Sequence, residues 1–306
     1  MNLRIILVLS SLISLISLMS SSPAAAEEKT VVQSVNYPLY YFATRLATDS
    51  FEVNYLVDPE VDPAFWKPDD KSLMAFQKAD LIIKNGADYE KWMKTVSLAS
   101  AKMVDTSKEF SSTYIKTAGS EHRHGNGTVH SHAGTAFTTW IDFSQAGRQA
   151  EAIAARFKAL QPADALKIDE NLTALKSDLD ALDSAMKAFG GKWGGKPLVA
   201  SHPIYQYFAR AYDLKIEAIE WEPEMEITDK DLADLKKILG KHKAEWMIWE
   251  DQPTAANIAA ISALGLKSVV FSPCANIPGE GDWLAEMKRN LANLEGLLNT
   301  AEPAQE

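Results

Sequence analysis

The segment "NLTALKSDLDALDSAMKAFGG", residues 171–191, has the most regular helical pattern in the chain and decides the fold. Its apolar residues recur every three or four positions, with lysine and aspartate between them: Leu172, Leu175, Leu179, Leu182, Met186 and Phe189. This spacing predicts an amphipathic helix with one buried face. We expect it to run from about Asp164 to Ala188 and to end at Gly190–Gly191. At about 1.5 Å per residue, such a helix is a rod of roughly 35 Å, long enough to join two lobes.

Strand-like and helical segments alternate on both sides of this helix. Before it, β-branched segments predict strands over 31–35, 51–57, 81–84 and 102–104, with helices over 39–47, 71–78 and 89–96. After it, "PLVAS", "KIEAIEW", "EWMIWE" and "KSVVF" predict strands separated by helices, and a last helix covers about 283–298. This alternation is typical of parallel sheets covered by helices. The expected fold is α/β, with two lobes, each a mostly parallel sheet with flanking helices, joined by one long spine helix.

The first 26 residues have the composition of a secretory signal. Arg4 supplies a positive charge, Ile5 to Met19 form an apolar segment, and Ala24 to Ala26 provide a cleavage site of small residues. We therefore expect a signal peptide over 1–26 and a periplasmic protein, without a lipid anchor because this leader holds no cysteine. The expected lobes are 27–160, which includes a histidine-rich loop over 119–136, and 192–306, with the linking helix over 161–191.

Composition and motifs exclude several classes of function. A formal net charge of −10 disfavours nucleic acid as a partner and is compatible with binding cations. The single cysteine, Cys274, cannot form an intrachain disulfide and is expected to be a small buried side chain or a soft metal ligand. The chain has no Gly-x-Ser-x-Gly elbow, His-Glu-x-x-His helix or phosphate-binding loop, so we do not expect an enzyme.

The loops that follow the predicted strands hold the residues best suited to binding. In an open parallel sheet, ligands lie beyond the carboxyl ends of the strands, so two such sheets facing each other form a cleft. The candidate loops are Tyr37–Pro38, 58–66, Ser201–His202, Glu222, Glu250 and 272–276. Glu250 follows the apolar segment "WMIW" and needs a partner, which a metal ion, a lysine or backbone amides could supply. Four tryptophans near strand ends could line an organic-ligand pocket or belong to the interface core: Trp66, Trp140, Trp221 and Trp249.

Four of the six histidines lie in the segment "EHRHGNGTVHSH" at residues 121–132: His122, His124, His130 and His132. Three interpretations are open: metal ligands that fold back over the cleft, a tether that gathers metal weakly and passes it on, or a loop without a role in metal binding. His202 is either a metal ligand or a hydrogen-bonded residue at a strand end. His242 is expected to be exposed or to act as a charge partner at a helix C-terminus.

Several motifs resemble the cluster A-I solute-binding proteins of zinc and manganese ABC transporters, the ZnuA/TroA-like family. They are "NYPLYYFATRLATD", "LVDPEVDPAFWKPDD", the histidine-rich loop followed by "TTWIDF", "ASHPIYQYFARAYDLK", "MIWEDQP" and "VVFSPCANIPGEGDWLAEMKRNLANL". The resemblance covers nearly all of the chain after the leader. It implies a two-lobed receptor with a spine helix, which captures a metal ion in its cleft and delivers it to a membrane permease.

The chain departs from this family's pattern at three of the four metal-ligand positions. The family places a histidine after an Asp-Pro pair and another two residues before the tryptophan, where this chain has Ala64 and Thr138. The third ligand is retained as His202, and the fourth, an acidic residue at the end of the last strand, is replaced by Ser272. Zinc needs about four donors. We expect the missing ones to come from His130, His132 and Glu250, with His122 and His124 as further candidates.

The expected function is that of a monomeric periplasmic protein that captures a divalent metal ion and delivers it to an ABC transporter permease. Imidazole and carboxylate donors favour Zn²⁺ as the transported cargo over Mn²⁺ or another divalent metal. Histidine ligands predict weaker binding below about pH 6. Two alternatives are open: a degenerate pocket that binds an organic ligand or a metal chelate, and a structural or adhesin role without transport.

Overall fold

The computed structural model describes residues 28–117, 121–123, 129–131 and 134–299. The expected signal peptide over 1–26 lies outside these residues, as do His124 and His132. His122 and His130 are described by their backbone alone. Within the described ranges, every helix is too short or too polar to cross a membrane.

The first lobe is a parallel sheet of four strands in the order β2-β1-β3-β4. Its strands are β1 (Thr30–Ser34), β2 (Phe51–Tyr55), β3 (Leu81–Lys84) and β4 (Met103–Asp105). Helices α1 (Tyr37–Leu46) and α2 (Asp70–Lys78) connect successive strands. Helix α1 begins where the Asn36 side chain accepts a hydrogen bond from Leu39 N at 3.1 Å. The helix predicted over 89–96 is instead a short 3₁₀ helix over Lys91–Thr95.

Two short antiparallel ladders lie at the ends of the histidine-rich segment and within it. β5 (Lys116–Thr117) pairs with β8 (Gly134–Thr135), and β6 (Glu121–Arg123) pairs with β7 (Val129–Ser131). Helix α3 (Phe143–Leu160) follows and was not predicted from the sequence. Its buried face contains Phe143, Ala146, Ala150, Ile153 and Phe157, which recur every three or four positions, so the helical pattern is present in the sequence.

Helix α4 (Ala165–Trp193) is the predicted spine. Its predicted apolar face is buried at Leu175, Leu179, Leu182, Met186 and Phe189. It packs against α1 and α3 and against the last helix of the chain. The predicted end at Gly190–Gly191 is wrong, because the helix continues to Trp193 and ends at Gly194 in the left-handed conformation with φ 69°. Gly190 serves packing instead, since a Cβ there would lie 2.1 Å from the Tyr212 carbonyl oxygen.

The second lobe repeats the strand order of the first, as β10-β9-β11-β12, again parallel. Its strands are β9 (Pro197–Ala200), β10 (Lys215–Ala218), β11 (Trp246–Trp249) and β12 (Lys267–Val270). Its helices are α5 (Gln206–Ala211), α6 (Asp229–His242), α7 (Ala255–Ser262) and α8 (Trp283–Asn299). All eight predicted strands are present, with shifts of up to three residues at their ends. The predicted α/β architecture of two lobes and a long helix is confirmed.

The carboxyl ends of the two sheets meet at one cleft. Tyr37 N, after β1, donates to Ala275 O, after β12, at 3.0 Å. The Asn276 side chain donates to the carbonyls of Asp58 and Val61, both at 2.8 Å. One hydrophobic core continues from the first-lobe sheet through α4 into the second lobe. These contacts hold the two sets of strand-end loops against each other.

Candidate metal centre

Three potential metal ligands lie at adjacent strand ends of the second lobe. His202 follows β9, Glu222 follows β10 and Glu250 follows β11, and β9 is the middle strand of the three. One ligand atom from each residue lies within 4.8 Å of the other two. His202 Nδ1 is 3.4 Å from Glu222 Oε1 and 3.4 Å from Glu250 Oε1. We call these residues the second-lobe triad.

Backbone hydrogen bonds fix the loops that carry the triad. Ser201 N donates to Ile248 O at 2.8 Å, and Trp221 N donates to Ser201 O at 2.8 Å. These bonds continue the sheet pairing past the strand ends, so the next side chains lie over the edge of the sheet. Ile204 N donates to His202 O at 3.0 Å and turns the chain towards α5. Backbone hydrogen bonds therefore hold the residues that precede His202 and Glu222 to the sheet.

The triad is largely shielded from solvent, and its carboxylates are crowded. The side chains of His202, Glu222 and Glu250 are 4%, 13% and 20% exposed. Burial raises the pKa of Glu250 well above the usual carboxyl range, and the charges of Glu222, Asp62 and Glu224 raise it further. A hydrogen bond with Glu222 acts in the same direction, as expected when two carboxyl groups share a proton.

The surroundings of Glu250 favour a cation as its missing partner. Within residues 28–117 and 134–299, no lysine or arginine forms an ion pair with Glu250. The groups that act on it are the His202 imidazole and the neighbouring carboxylates. Burying negative charge among negative charges is costly unless a cation or a proton compensates it.

The three family positions that lack a metal ligand in the sequence are occupied by packed or hydrogen-bonded residues. Ala64 and Thr138 are buried. Ser272 N donates to Asn290 Oδ1 at 2.9 Å, and Asn290 Nδ2 donates to Ser272 O at 2.7 Å. The second carboxylate of the cluster is instead Glu222, which follows β10 and not the last strand. We placed Glu222 among the cleft loops but did not predict it as a ligand, because the sequence does not reveal that β10 and β9 are neighbours.

The root of the histidine-rich loop adjoins residues that follow His202 in the chain. Thr117, Thr135 and Thr138 line a narrow gap together with Pro203 and Gln206, which follow His202 closely in the chain. His122 and His130 are opposite each other in the β6–β7 ladder. Their side chains, and all of His124 and His132, lie outside the described residues. That these four histidines bind metal therefore stays a prediction.

A family model described as "Zinc-uptake complex component A periplasmic", ZnuA, matches residues 31–296. This chain belongs to the ZnuA family. Membership confirms the resemblance stated from the motifs. It also agrees with our prediction that the protein is not an enzyme, because the family consists of components of an uptake complex.

Two curated relatives of this ZnuA-family chain are named for zinc. The zinc-binding lipoprotein AdcA of Streptococcus pneumoniae is 26% identical over 313 residues, which cover 99% of this chain and 62% of AdcA. The high-affinity zinc uptake system protein ZnuA of Bacillus subtilis is 25% identical over 298 residues, which cover 91% of this chain and 92% of that protein. The chain thus spans about three-fifths of the length of AdcA.

Solved structures share the fold. The metal-dependent lipoprotein YcdH of Bacillus subtilis matches with a TM-score of 0.74 and 21% identity, covering 89% of this chain and 99% of that one. The Zn(II)-bound ZnuA-like domain of Streptococcus pneumoniae AdcA matches with a TM-score of 0.73 and 21% identity, covering 90% of this chain and all of that domain. Both likenesses support the two-lobed architecture of the ZnuA-family chain.

The tryptophans near the strand ends are packing residues in this ZnuA-family chain. Trp140, Trp221 and Trp249 are buried, and the rings of Trp221 and Trp249 lie 4.9 Å apart, edge to face. Trp66 packs edge to face on Trp92 at 5.8 Å. Trp140 Nε1 donates to Pro273 O at 2.7 Å, a contact between the lobes, whereas Trp221 and Trp249 belong to the core of the second lobe. The rings therefore serve packing, and the interface-core interpretation is supported for Trp140 alone.

Cys274 and His242 are also held by the protein. Cys274 is buried, and burial raises the pKa of its thiol, so the packing interpretation is favoured over a soft ligand. His242 is the last residue of α6, and its Nε2 lies 2.8 Å from the carbonyl oxygen of Leu198 in β9. His242 thus lies at a helix C-terminus, as one alternative expected, but the exposed alternative is wrong, because the ring is half-buried and bonds to the neighbouring strand.

Proposed function

We propose that this protein captures zinc in its cleft and delivers it to the permease of an ABC transporter. The second-lobe triad carries the proposal. Ligand atoms about 2.1 Å from a tetrahedral zinc ion lie about 3.4 Å from one another. His202 Nδ1 is 3.4 Å from an oxygen of each glutamate. Two of the three ligand-atom separations in the described triad thus match a tetrahedral zinc ion, and the third lies within 4.8 Å. AdcA and ZnuA, which are named for zinc, support this cargo.

Zinc entry replaces the proton that the two glutamates share. A metal binds the deprotonated carboxylate, so protons and zinc compete for the site. Because the pKa of Glu250 is raised, protons compete at a higher pH than they would for an ordinary carboxylate. Zinc affinity therefore falls as the pH falls, because protons compete with the metal for its carboxylate and imidazole ligands.

The histidine-rich loop gathers zinc at the mouth of the cleft in this proposal. Its root adjoins the residues that follow His202, so a bound ion has a short path to the triad. Replacement of His130 and His132 by glutamine distinguishes the open interpretations. If the loop is a tether that gathers metal, the variant should bind zinc more slowly but with unchanged affinity. If the histidines are ligands that fold over the cleft, its zinc affinity should be lower.

The protein acts as an exported monomer in the periplasm in this proposal. The loaded cleft face docks onto the permease, and small shifts of the lobes accompany loading, because one stiff helix joins them. Sedimentation of the metal-free and zinc-loaded chain tests the monomer. A stable dimer in either state would contradict it.

Zinc titration of the full chain against a competing chelator tests the site. His202→Gln, Glu222→Gln and Glu250→Gln are each expected to lower affinity about 100-fold or more, because each removes a donor. His242→Gln and Glu226→Gln are matched controls, since His242 bonds to β9 and Glu226 is exposed on the loop of Glu222. Wild-type affinity in all three triad variants would refute the proposed site.

A further inference from the structure

Glu222 and Glu250 follow two strands that do not pair with each other. In the second sheet β9 lies between β10 and β11, so the ends of these two strands are roughly 9–10 Å apart. One ligand atom of each glutamate nevertheless lies within 4.8 Å of the other and of His202, which follows the middle strand. The carboxylates therefore meet beyond the end of β9, and the positions of the two loops decide whether they can share one ion.

The backbone on both sides of Glu222 is held by hydrogen bonds. Before it, Trp221 N donates to Ser201 O at 2.8 Å, which ties the chain to the end of β9. After it, Met225 N donates to Glu222 O at 3.1 Å and closes a turn over residues 222–225. Trp221 Nε1 donates to Met225 O at 3.2 Å across this turn. We call these four residues the Glu222 turn.

Asn257, in helix α7, holds the Glu222 turn from outside. Its side chain is buried, and its Nδ2 donates to Pro223 O and to Met225 O, both at 2.8 Å. These two acceptors fix the orientation of the amide, because its oxygen in the same place would face two carbonyl oxygens. Thr254 N adds a third bond, to Pro223 O at 3.2 Å. One buried side chain thus binds two carbonyls of the Glu222 turn.

Helix α7 belongs to the Glu250 side of the site. Glu250 directly follows β11, and the segment after it leads to Thr254, the N-cap of α7. The Thr254 side chain accepts a hydrogen bond from Asn257 N at 3.1 Å, which fixes the start of the helix. The bonds from Thr254 and Asn257 to the Glu222 turn therefore join the two segments that carry the carboxylates.

We infer that Asn257 is a positioning residue of the proposed zinc site, because it holds the Glu222 turn against the helix that follows Glu250. Its bonds keep the two carboxylates close enough to share one ion with His202. The inference rests on the proposed function and adds the side chain that sets the spacing of the ligands. Groups that orient metal ligands typically change metal affinity about 10–100-fold when they are removed.

Asn257→Ala and Asn290→Ala form a matched pair of variants. Asn290 is also buried, and its side chain holds the loop after β12 through bonds with Ser272 O at 2.7 Å and Ser272 N at 2.9 Å. That loop carries none of the triad residues. In zinc titration of the full chain against a competing chelator, Asn257→Ala is expected to lower affinity about 10–100-fold, whereas Asn290→Ala keeps wild-type affinity.

Cobalt(II) absorption and a double-mutant cycle separate positioning from a loss of stability. The visible spectrum of bound cobalt is expected to change in Asn257→Ala and to match the wild type in Asn290→Ala. Asn257→Ala should have little further effect on zinc affinity in the Glu222→Gln background, because both changes act through one carboxylate.

Thermal unfolding of the metal-free variants checks that each is folded. If Asn257→Ala does not fold, Asn257→Thr and Asn290→Thr repeat the comparison. Threonine has nearly the volume of asparagine, but its hydroxyl can donate only one hydrogen bond. Zinc affinity should again fall in the variant at position 257 and stay unchanged in the variant at position 290.

Two results would overturn the inference. One is wild-type zinc affinity in Asn257→Ala while Glu222→Gln binds weakly, which would show that the triad keeps its spacing without the Asn257 bonds. The other is an equal loss of affinity in Asn257→Ala and Asn290→Ala, which would show a general loss of packing. Wild-type affinity in Glu222→Gln and Glu250→Gln would instead refute the proposed zinc site on which the inference rests.

Discussion

The two lobes share one strand order but use their carboxyl edges differently. In the first lobe, the loop after β3 is closed by the protein itself, because Asn85 Oδ1 accepts hydrogen bonds from Thr139 Oγ1 at 3.1 Å and from Gln149 Nε2 at 3.0 Å. In the second lobe, the loop after β11 ends at Glu250, which faces an imidazole and other carboxylates. With the same topology, the strand-end loop of the first lobe is closed by hydrogen bonds within the protein, whereas that of the second lobe carries the proposed ligand-binding site.

A buried glutamate in each lobe shows the physical basis of this difference. Burial raises the pKa of Glu90 to about 7, although the charge of Lys84 opposes the shift. The Glu90 carboxylate accepts hydrogen bonds from the backbone N–H groups of Asn85 and Gly86. Glu250 is surrounded by like charges instead. Backbone donors compensate the first carboxylate, whereas the second needs a proton or a cation.

The largest expected effect is zinc-dependent stabilisation of the second-lobe edge. At a free zinc concentration about 100 times Kd, binding adds about 2.7 kcal/mol to the free energy of unfolding, which raises Tm by about 5–10 °C. Hydrogen exchange should slow most in the loops after β9, β10 and β11, and least around Asn85. If zinc slowed hydrogen exchange equally in the strand-end loops of both lobes, the proposed difference between the lobes would be wrong.

Glu250→Gln is expected to stabilise the metal-free protein while weakening zinc binding. The pKa of Glu250 is raised in the folded state. Its contribution to stability is therefore fully present below the pKa of an exposed glutamate and is lost as the pH rises through the raised value. Glutamine avoids this loss, so at neutral pH the variant should be more stable than the wild type in denaturant unfolding, with the gain vanishing near about pH 4. A less stable variant at neutral pH would show that Glu250 has a favourable partner in the metal-free protein.

Glu90→Gln is expected to change stability without affecting zinc. The folded pKa of Glu90 is about 7, raised from 4.5, so its contribution is present below about pH 4.5 and lost as the pH rises through about 7. Wild-type stability should therefore fall relative to the variant by roughly 1 kcal/mol per pH unit between these values. Urea unfolding at several pH values measures the slope. Lower zinc affinity in this variant would show that the loop of Glu90 in the first lobe affects the proposed zinc site of the second lobe.

Features set by neighbouring residues in the sequence could be predicted, whereas features set by contacts between distant residues could not. The stripe from Leu175 to Phe189 predicted the spine, because helical periodicity is a local pattern. The end of that helix was misplaced, since Gly190 is required by contact with Tyr212, a residue distant in the chain. Helix α3 was missed although its buried residues, from Phe143 to Phe157, follow the same local spacing, so this omission has no long-range cause.

The sequence by itself determined two parallel α/β lobes, the spine helix and His202, the histidine retained at a family ligand position. Each of these is recognisable from local spacing or from a short motif. Only the tertiary structure decided that Glu222 joins His202 and Glu250, because strand order depends on long-range packing. The contacts of Asn276 with Asp58 and Val61, which join the two lobes, likewise link residues more than 200 positions apart. A ligand set is a property of distances in space, and no local pattern encodes them.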